Sequence, residues 1–161
     1  MTKIRDVAAV VGLTAALLGS TLARADEVLK LGLSVSMSGA AAVWGLGMDW
    51  AAKQAAQSIN DSGGVKVNGK TYRFEVMSLD NKYNAAEGAK VAQTLVNREG
   101  VRYIVATIGT APTMALQSLT ERKGVLMFTG AWGMAMKGPK FPLTFTQVNS
   151  PSEIAPPLYG Y

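Results

Sequence analysis

The hydrophobic pattern first takes a strand's period at residues 29–35, Leu-Lys-Leu-Gly-Leu-Ser-Val, where apolar and polar positions alternate. The alternation runs into a loop of small residues, 36–45, and then into an amphipathic helix predicted over 46–60, with Trp50 assigned to its core side. Asn60-Asp61-Ser62-Gly63-Gly64 stops that helix. Residues 65–77 read as a hairpin, because Asn68-Gly69 suits the type I′ turn, whose two central residues both need positive φ. Its longer arm, 72–79, continues as the second strand of the main sheet and closes at Asp80-Asn81.

A second helix is predicted over 84–98, with Ala85, Ala89, Ala92 and Val96 on one face and Gly100 as its stop. The near-continuous apolar run 103–108 has the character of a strand buried on both faces. Thr110-Ala111-Pro112 opens a third helix, with Thr110 as cap and Pro112 in the first turn. Arg122 and Lys123 suit its negative end, and Gly124 is placed to terminate it. Strands are predicted at 125–129 and 143–148.

This alternation is that of an α/β protein, a doubly wound parallel sheet. Such sheets bind ligands beyond the carboxyl ends of their strands, where loops and helix N-termini converge. Three loops fall there: 36–45, 109–112 and 130–137. The candidate ligand-binding residues are Ser38, Trp44, Gly109, Thr110, Ala111, Ala131, Trp132 and Gly133. Thr110 and the amides around Ala111 offer an anion site at a helix N-terminus, although Thr110 taken alone reads first as a cap of its helix. Trp44 and Trp132 are read either as lids over the core or as walls for an apolar ligand group. Met134 and Met136 add adaptable apolar surface in either case.

The first 25 residues change the setting. Lys3 and Arg5 precede an apolar and small-residue stretch, 7–22, and Ala23-Arg24-Ala25 forms a cleavage site, so a signal peptide is predicted with Asp26 as the first mature residue. The competing membrane anchor has a short apolar run, diluted by Gly12, Thr14, Gly19, Ser20 and Thr21. Cysteine is absent, so neither a disulfide framework nor an acylated Cys is available, and a soluble periplasmic location is expected. Of the formal +5, two units belong to the leader (Lys3, Arg5 and Arg24 against Asp6), leaving +3 without any basic run. Nucleic acid is therefore not an expected partner.

Catalysis finds little support. The chain contains no histidine or cysteine, which removes the commonest general base, metal ligand and thiol nucleophile. No serine lies in a G-x-S-x-G elbow. Gly39, Gly45 and Gly47 miss the G-x-G-x-x-G spacing, and no phosphate-binding P-loop is present. Neither an enzyme nor a cofactor is expected.

Several segments together resemble the Leu/Ile/Val-binding proteins, the type I periplasmic solute-binding components of branched-chain amino-acid ABC transporters. They are Leu31-Gly32, Ser36-Met37-Ser38-Gly39, Trp44-Gly45, residues 56–60 with Gly63-Gly64-Val65, Tyr103-Ile104-Val105, Gly124-Val125-Leu126-Met127 and Asn149-Ser150-Pro151-Ser152. The resemblance implies a hinged, two-lobed protein that closes on a small-molecule ligand and delivers it to a membrane permease. Residues 26–148 would then be the N-terminal part of lobe one, incomplete, and 149–161 the start of the crossover to lobe two. By position, Thr110, beside Gly109, matches the residue that binds the ligand's α-carboxylate, and Trp44 matches the aromatic that covers it. Ala131-Trp132-Gly133 departs from the family's small residue followed by Ala-Thr. A hydroxyl is lost there and a large ring gained, which favours an aromatic or other carboxylate over a branched-chain amino acid. A ligand-sensing domain of a receptor and an exported Rossmann-like enzyme are the alternative readings.

Overall fold

The computed structural model describes residues 26–159. The expected leader and its cleavage site lie outside these residues. The described chain builds one six-stranded sheet in the order β2-β3-β1-β4-β5-β6. Its strands are β1 (Glu27–Val35), β2 (Val65–Val67), β3 (Lys70–Asp80), β4 (Tyr103–Thr107), β5 (Leu126–Thr129) and β6 (Thr144–Thr146). All neighbours run parallel except the β2–β3 hairpin. Asn68 and Gly69 turn that hairpin with φ of 49° and 74°, as their dipeptide predicts. The doubly wound α/β expectation holds.

The helices are α1 (Ala42–Asp61), α2 (Ala85–Ala92), α3 (Thr110–Lys123) and α4 (Pro151–Tyr159), with a short 3₁₀ turn at Met134–Met136. Asn84 caps α2, its side chain accepting the amides of Ala86 and Glu87. Beyond Ala92 the same helix loosens into a π-helical stretch, Gln93–Arg98, where the Glu99 amide reaches back five residues to the Thr94 carbonyl. The single helix expected over 84–98 thus has two geometries. Gly124, at φ 67°, ends α3 in the left-handed conformation expected of it.

Three expectations are corrected. Helix α1 begins at Ala42 rather than at residue 46. The glycine that suggested a loop, Gly45, is instead a helix residue whose missing Cβ makes room: a methyl group there would lie 1.8 Å from the Ser36 carbonyl oxygen. Trp50 is 67% exposed, because the buried positions of α1 are Gly45, Asp49 and Ala56. Thr110 is the first residue of α3 and not its cap. Gly109 takes the cap position, and no side chain caps the helix.

The core lies between the sheet and α2 and α3. Val91, Leu95, Ile104, Leu116, Leu119 and Met127 form one cluster there. The two helices close on each other where Gly88 meets Pro112, since a Cβ at Gly88 would stand 2.6 Å from the Pro112 Cα. The opposite face of the sheet carries α1. Between Leu31, Phe74 and Val105 on the sheet and Met48, Ala52 and Ile59 on α1 lies an apolar cavity of about 390 Å³.

Candidate functional site

At the carboxyl ends of β1, β3 and β4 the chain buries Asn81 completely. Its amide donates to the carbonyls of Ser34 (2.9 Å) and Ile108 (3.1 Å). Its carbonyl oxygen accepts the Ser36 hydroxyl (3.2 Å) and the Tyr83 amide (2.9 Å). One side chain therefore ties the ends of two strands together and starts the turn that leaves the third.

Asp80 organises the layer above. Its carboxylate accepts the amides of Met37 (2.9 Å) and Lys82 (2.8 Å) and the hydroxyl of Ser38 (2.6 Å). Partial burial works against its charge, but these donors and the positive charge of Lys82 prevail and hold the carboxyl below its ordinary value. Lys82 and Tyr83 both adopt left-handed backbone, at φ 49° and 56°. The hydrogen bonds to Asp80 and Asn81 offset the steric cost of that conformation.

A buried hydroxyl chain fixes the other side. Thr113 on α3 donates to Thr107 (2.8 Å), and Thr107 donates to Thr129 (2.6 Å). Thr129 also accepts the amide of Ala131 (3.0 Å), so the ends of β4 and β5, the start of α3 and the 130–133 loop form one unit. Gln117 extends it by donating to the Met136 carbonyl (3.0 Å) and the Thr144 hydroxyl (3.1 Å).

These loops enclose one open cleft of about 840 Å³. Six of the eight candidate residues line it: Ser38, Trp44, Gly109, Thr110, Ala131 and Trp132. Ala111 and Gly133 are not on its wall. Ala111 belongs to the first turn of α3. Gly133 backs Thr110, since a Cβ on it would come within 2.6 Å of the Thr110 Cγ2. The Ser38 hydroxyl is already committed to Asp80, so Ser38 shapes the loop while its other atoms face the cleft. Trp44 and Trp132 are 67% and 61% exposed. Both line the cleft.

The head of α3 gives the cleft its polarity. The first amides of a helix lack intrahelical partners, and Pro112 has no N–H, so Thr110 and Ala111 present the free donors of the first helical turn. Lys82 and Tyr83 also line the cleft and were missed in the sequence. The Asx pair Asp80-Asn81 signals a turn after β3. Nothing local reveals that this turn is tied to the ends of β1 and β4.

The family model described as periplasmic binding protein matches residues 28–161. The Leu/Ile/Val-binding protein of Escherichia coli (strain K12) is 29% identical over 116 residues, which is 72% of this chain and 30% of that protein. The branched-chain amino acid transporter substrate-binding protein of Streptococcus pneumoniae, solved in complex with isoleucine, superposes with a TM-score of 0.65 at 26% identity. The match covers 77% of this chain and 34% of that one. A solute-binding protein of an ABC transporter from Rhodopseudomonas palustris BisB5, in complex with 3,4-dihydroxybenzoic acid, gives a TM-score of 0.62 at 26% identity, covering 76% and 32%. The matched segment spans about a third of the length of these relatives.

Proposed function

Because the chain belongs to the periplasmic binding protein family, we propose that the full-length protein is the exported substrate-binding component of an ABC importer, with a small carboxylate of aromatic body as its ligand. The observation that carries the ligand class is the cleft itself, in which the uncapped head of α3 with Thr110 faces the same space as the exposed rings of Trp44 and Trp132. A carboxylate on those amides gains charge-assisted hydrogen bonds, and an aromatic body gains apolar contact with the two indoles. Ala131 and Trp132 bring bulk to that wall and no hydroxyl, which suits a flat ring better than a branched aliphatic chain. The relatives support both halves of the choice, one having been solved with isoleucine and another with 3,4-dihydroxybenzoic acid. No covalent step is asked of any side chain; the protein binds and hands over. Its partner is the membrane permease, its compartment the periplasm, and its leader is removed after Ala25.

Thermal unfolding of the full-length protein against a ligand panel tests this reading. A ligand at about 100 times its Kd adds roughly 2.7 kcal/mol of stability. Benzoate and 3,4-dihydroxybenzoate are expected to raise Tm clearly, isoleucine less, and benzamide not at all. Stabilisation by neutral sugars or amides alone would overturn it. N-terminal sequencing of the exported protein should begin at Asp26.

A further inference from the structure

We propose that Lys82 is the specificity-determining residue of this cleft, selecting a plain carboxylate over an α-amino acid; the proposal rests on the binding function just given. Lys82 lines the cleft from the turn that follows β3. Its position is built in. Two consecutive left-handed residues are rare outside glycine, and here the Asp80 and Asn81 side chains each accept one of their amides. The turn also abuts the head of α3: a Cβ on Gly109 would lie 3.1 Å from the ring of Tyr83. Lys82 and the free amides of α3 thus belong to adjoining parts of one wall.

The charge of Lys82 is available. None of the six ion pairs among the described residues includes it. Two carboxylates lie near enough to influence it. Asp80 already accepts three hydrogen bonds, from Met37, Ser38 and the Lys82 amide, and Glu87 is paired with Lys90 at 2.8 Å. Asp80 and Glu87 feel the charge of Lys82, and in this assignment the ammonium, on the same cleft wall, adds to the helix dipole in attracting a ligand carboxylate at α3. An amino acid seated the same way carries an ammonium nitrogen two bonds from its carboxylate carbon, and Lys82 repels it. A benzoate has no such group. Discrimination then comes from a repulsive element as much as from an attractive one.

Titration calorimetry on the full-length protein, wild type, Lys82→Gln and Lys82→Arg, with benzoate and isoleucine as probes, tests the assignment. The wild type should prefer benzoate. Lys82→Gln should weaken benzoate by roughly ten-fold, as for a lost charge-assisted contact, and leave isoleucine unchanged or tighter. Lys82→Arg should keep benzoate binding. Raising ionic strength from about 0.05 M to about 0.5 M should weaken benzoate binding in the wild type and much less in Lys82→Gln. Benzoate binding that is indifferent to Lys82→Gln overturns the role of Lys82 and leaves the carboxylate-binding function standing, whereas a wild type that prefers isoleucine overturns that role and the aromatic ligand class together. A wild type that binds neither probe overturns both.

Discussion

Thr110 concentrates the chemistry of the cleft in one hydroxyl. It occupies the first position of α3, beside unpaired amides, with Gly133 packed against its methyl group. Thr110→Ala should weaken a carboxylate ligand by about ten-fold in calorimetry, since a hydrogen bond to a charged group contributes about 1.5–3 kcal/mol. Unfolding of the free protein should be unaffected, because the side chain is exposed and caps nothing. Asp80 supports the opposite wall, and its contribution depends on pH with a definite sign. Its carboxyl is held below the ordinary 3.8 by Ser38, Met37 and Lys82, against the desolvation that acts the other way. A group with a lowered folded-state value stabilises above the unfolded value and loses that stabilisation as pH falls through the folded one. Urea midpoints should therefore be flat with respect to Asp80 above about pH 4 and fall below it. Asp80→Asn should flatten part of that acid limb.

At the scale of elements, two glycines two residues apart on the same region of α1 answer to different physics. Gly45 allows the helix to rest on the Ser36 carbonyl, whereas a Cβ on Gly47 would meet nothing within 4 Å. Gly45→Ala should cost about 3 kcal/mol or more by forcing α1 off β1. Gly47→Ala should stabilise by about 0.5–1 kcal/mol through helix propensity alone. Urea denaturation separates the two. The contrast also explains what the sequence revealed. Gly45 read as a loop residue while Gly47 fell within the predicted helix, because a required close approach leaves no local trace. Features set by neighbours in the chain were legible: the Asn68-Gly69 turn, the Gly124 terminator of α3, and the apolar run that became β4. The ligand edge was legible too, since it follows from strand order, and it brought six of the eight candidate residues to one cleft. The Asp80–Tyr83 turn was not, because its conformation depends on meeting Ser34, Ser36, Met37 and Ile108 at the ends of β1 and β4. Trp50 was misread because a large apolar side chain on a helix says nothing about which face the sheet will cover.

The molecule as a whole is packed unevenly. Helices α2 and α3 seal one face of the sheet around Leu95, Ile104 and Met127, while the α1 side leaves an apolar cavity among Leu31, Phe74, Val105 and Ile59. Val43, Leu46 and Trp50 are exposed on α1 as well. Residues 26–161 expressed alone should accordingly bind an apolar dye and unfold over a broad, low-temperature transition. A sharp, reversible transition without dye binding would show this face to be stable as it stands. The cleft on the other edge of the sheet carries the central claim, that its α3 end is an anion site walled by indoles. Benzoate and benzamide share ring and shape and differ in charge, so paired calorimetric titrations of the full-length protein test that claim most directly. The account predicts benzoate binding at least ten-fold tighter than benzamide, a preference that Thr110→Ala reduces. Equal affinity for the two, unchanged by Thr110→Ala, would contradict it.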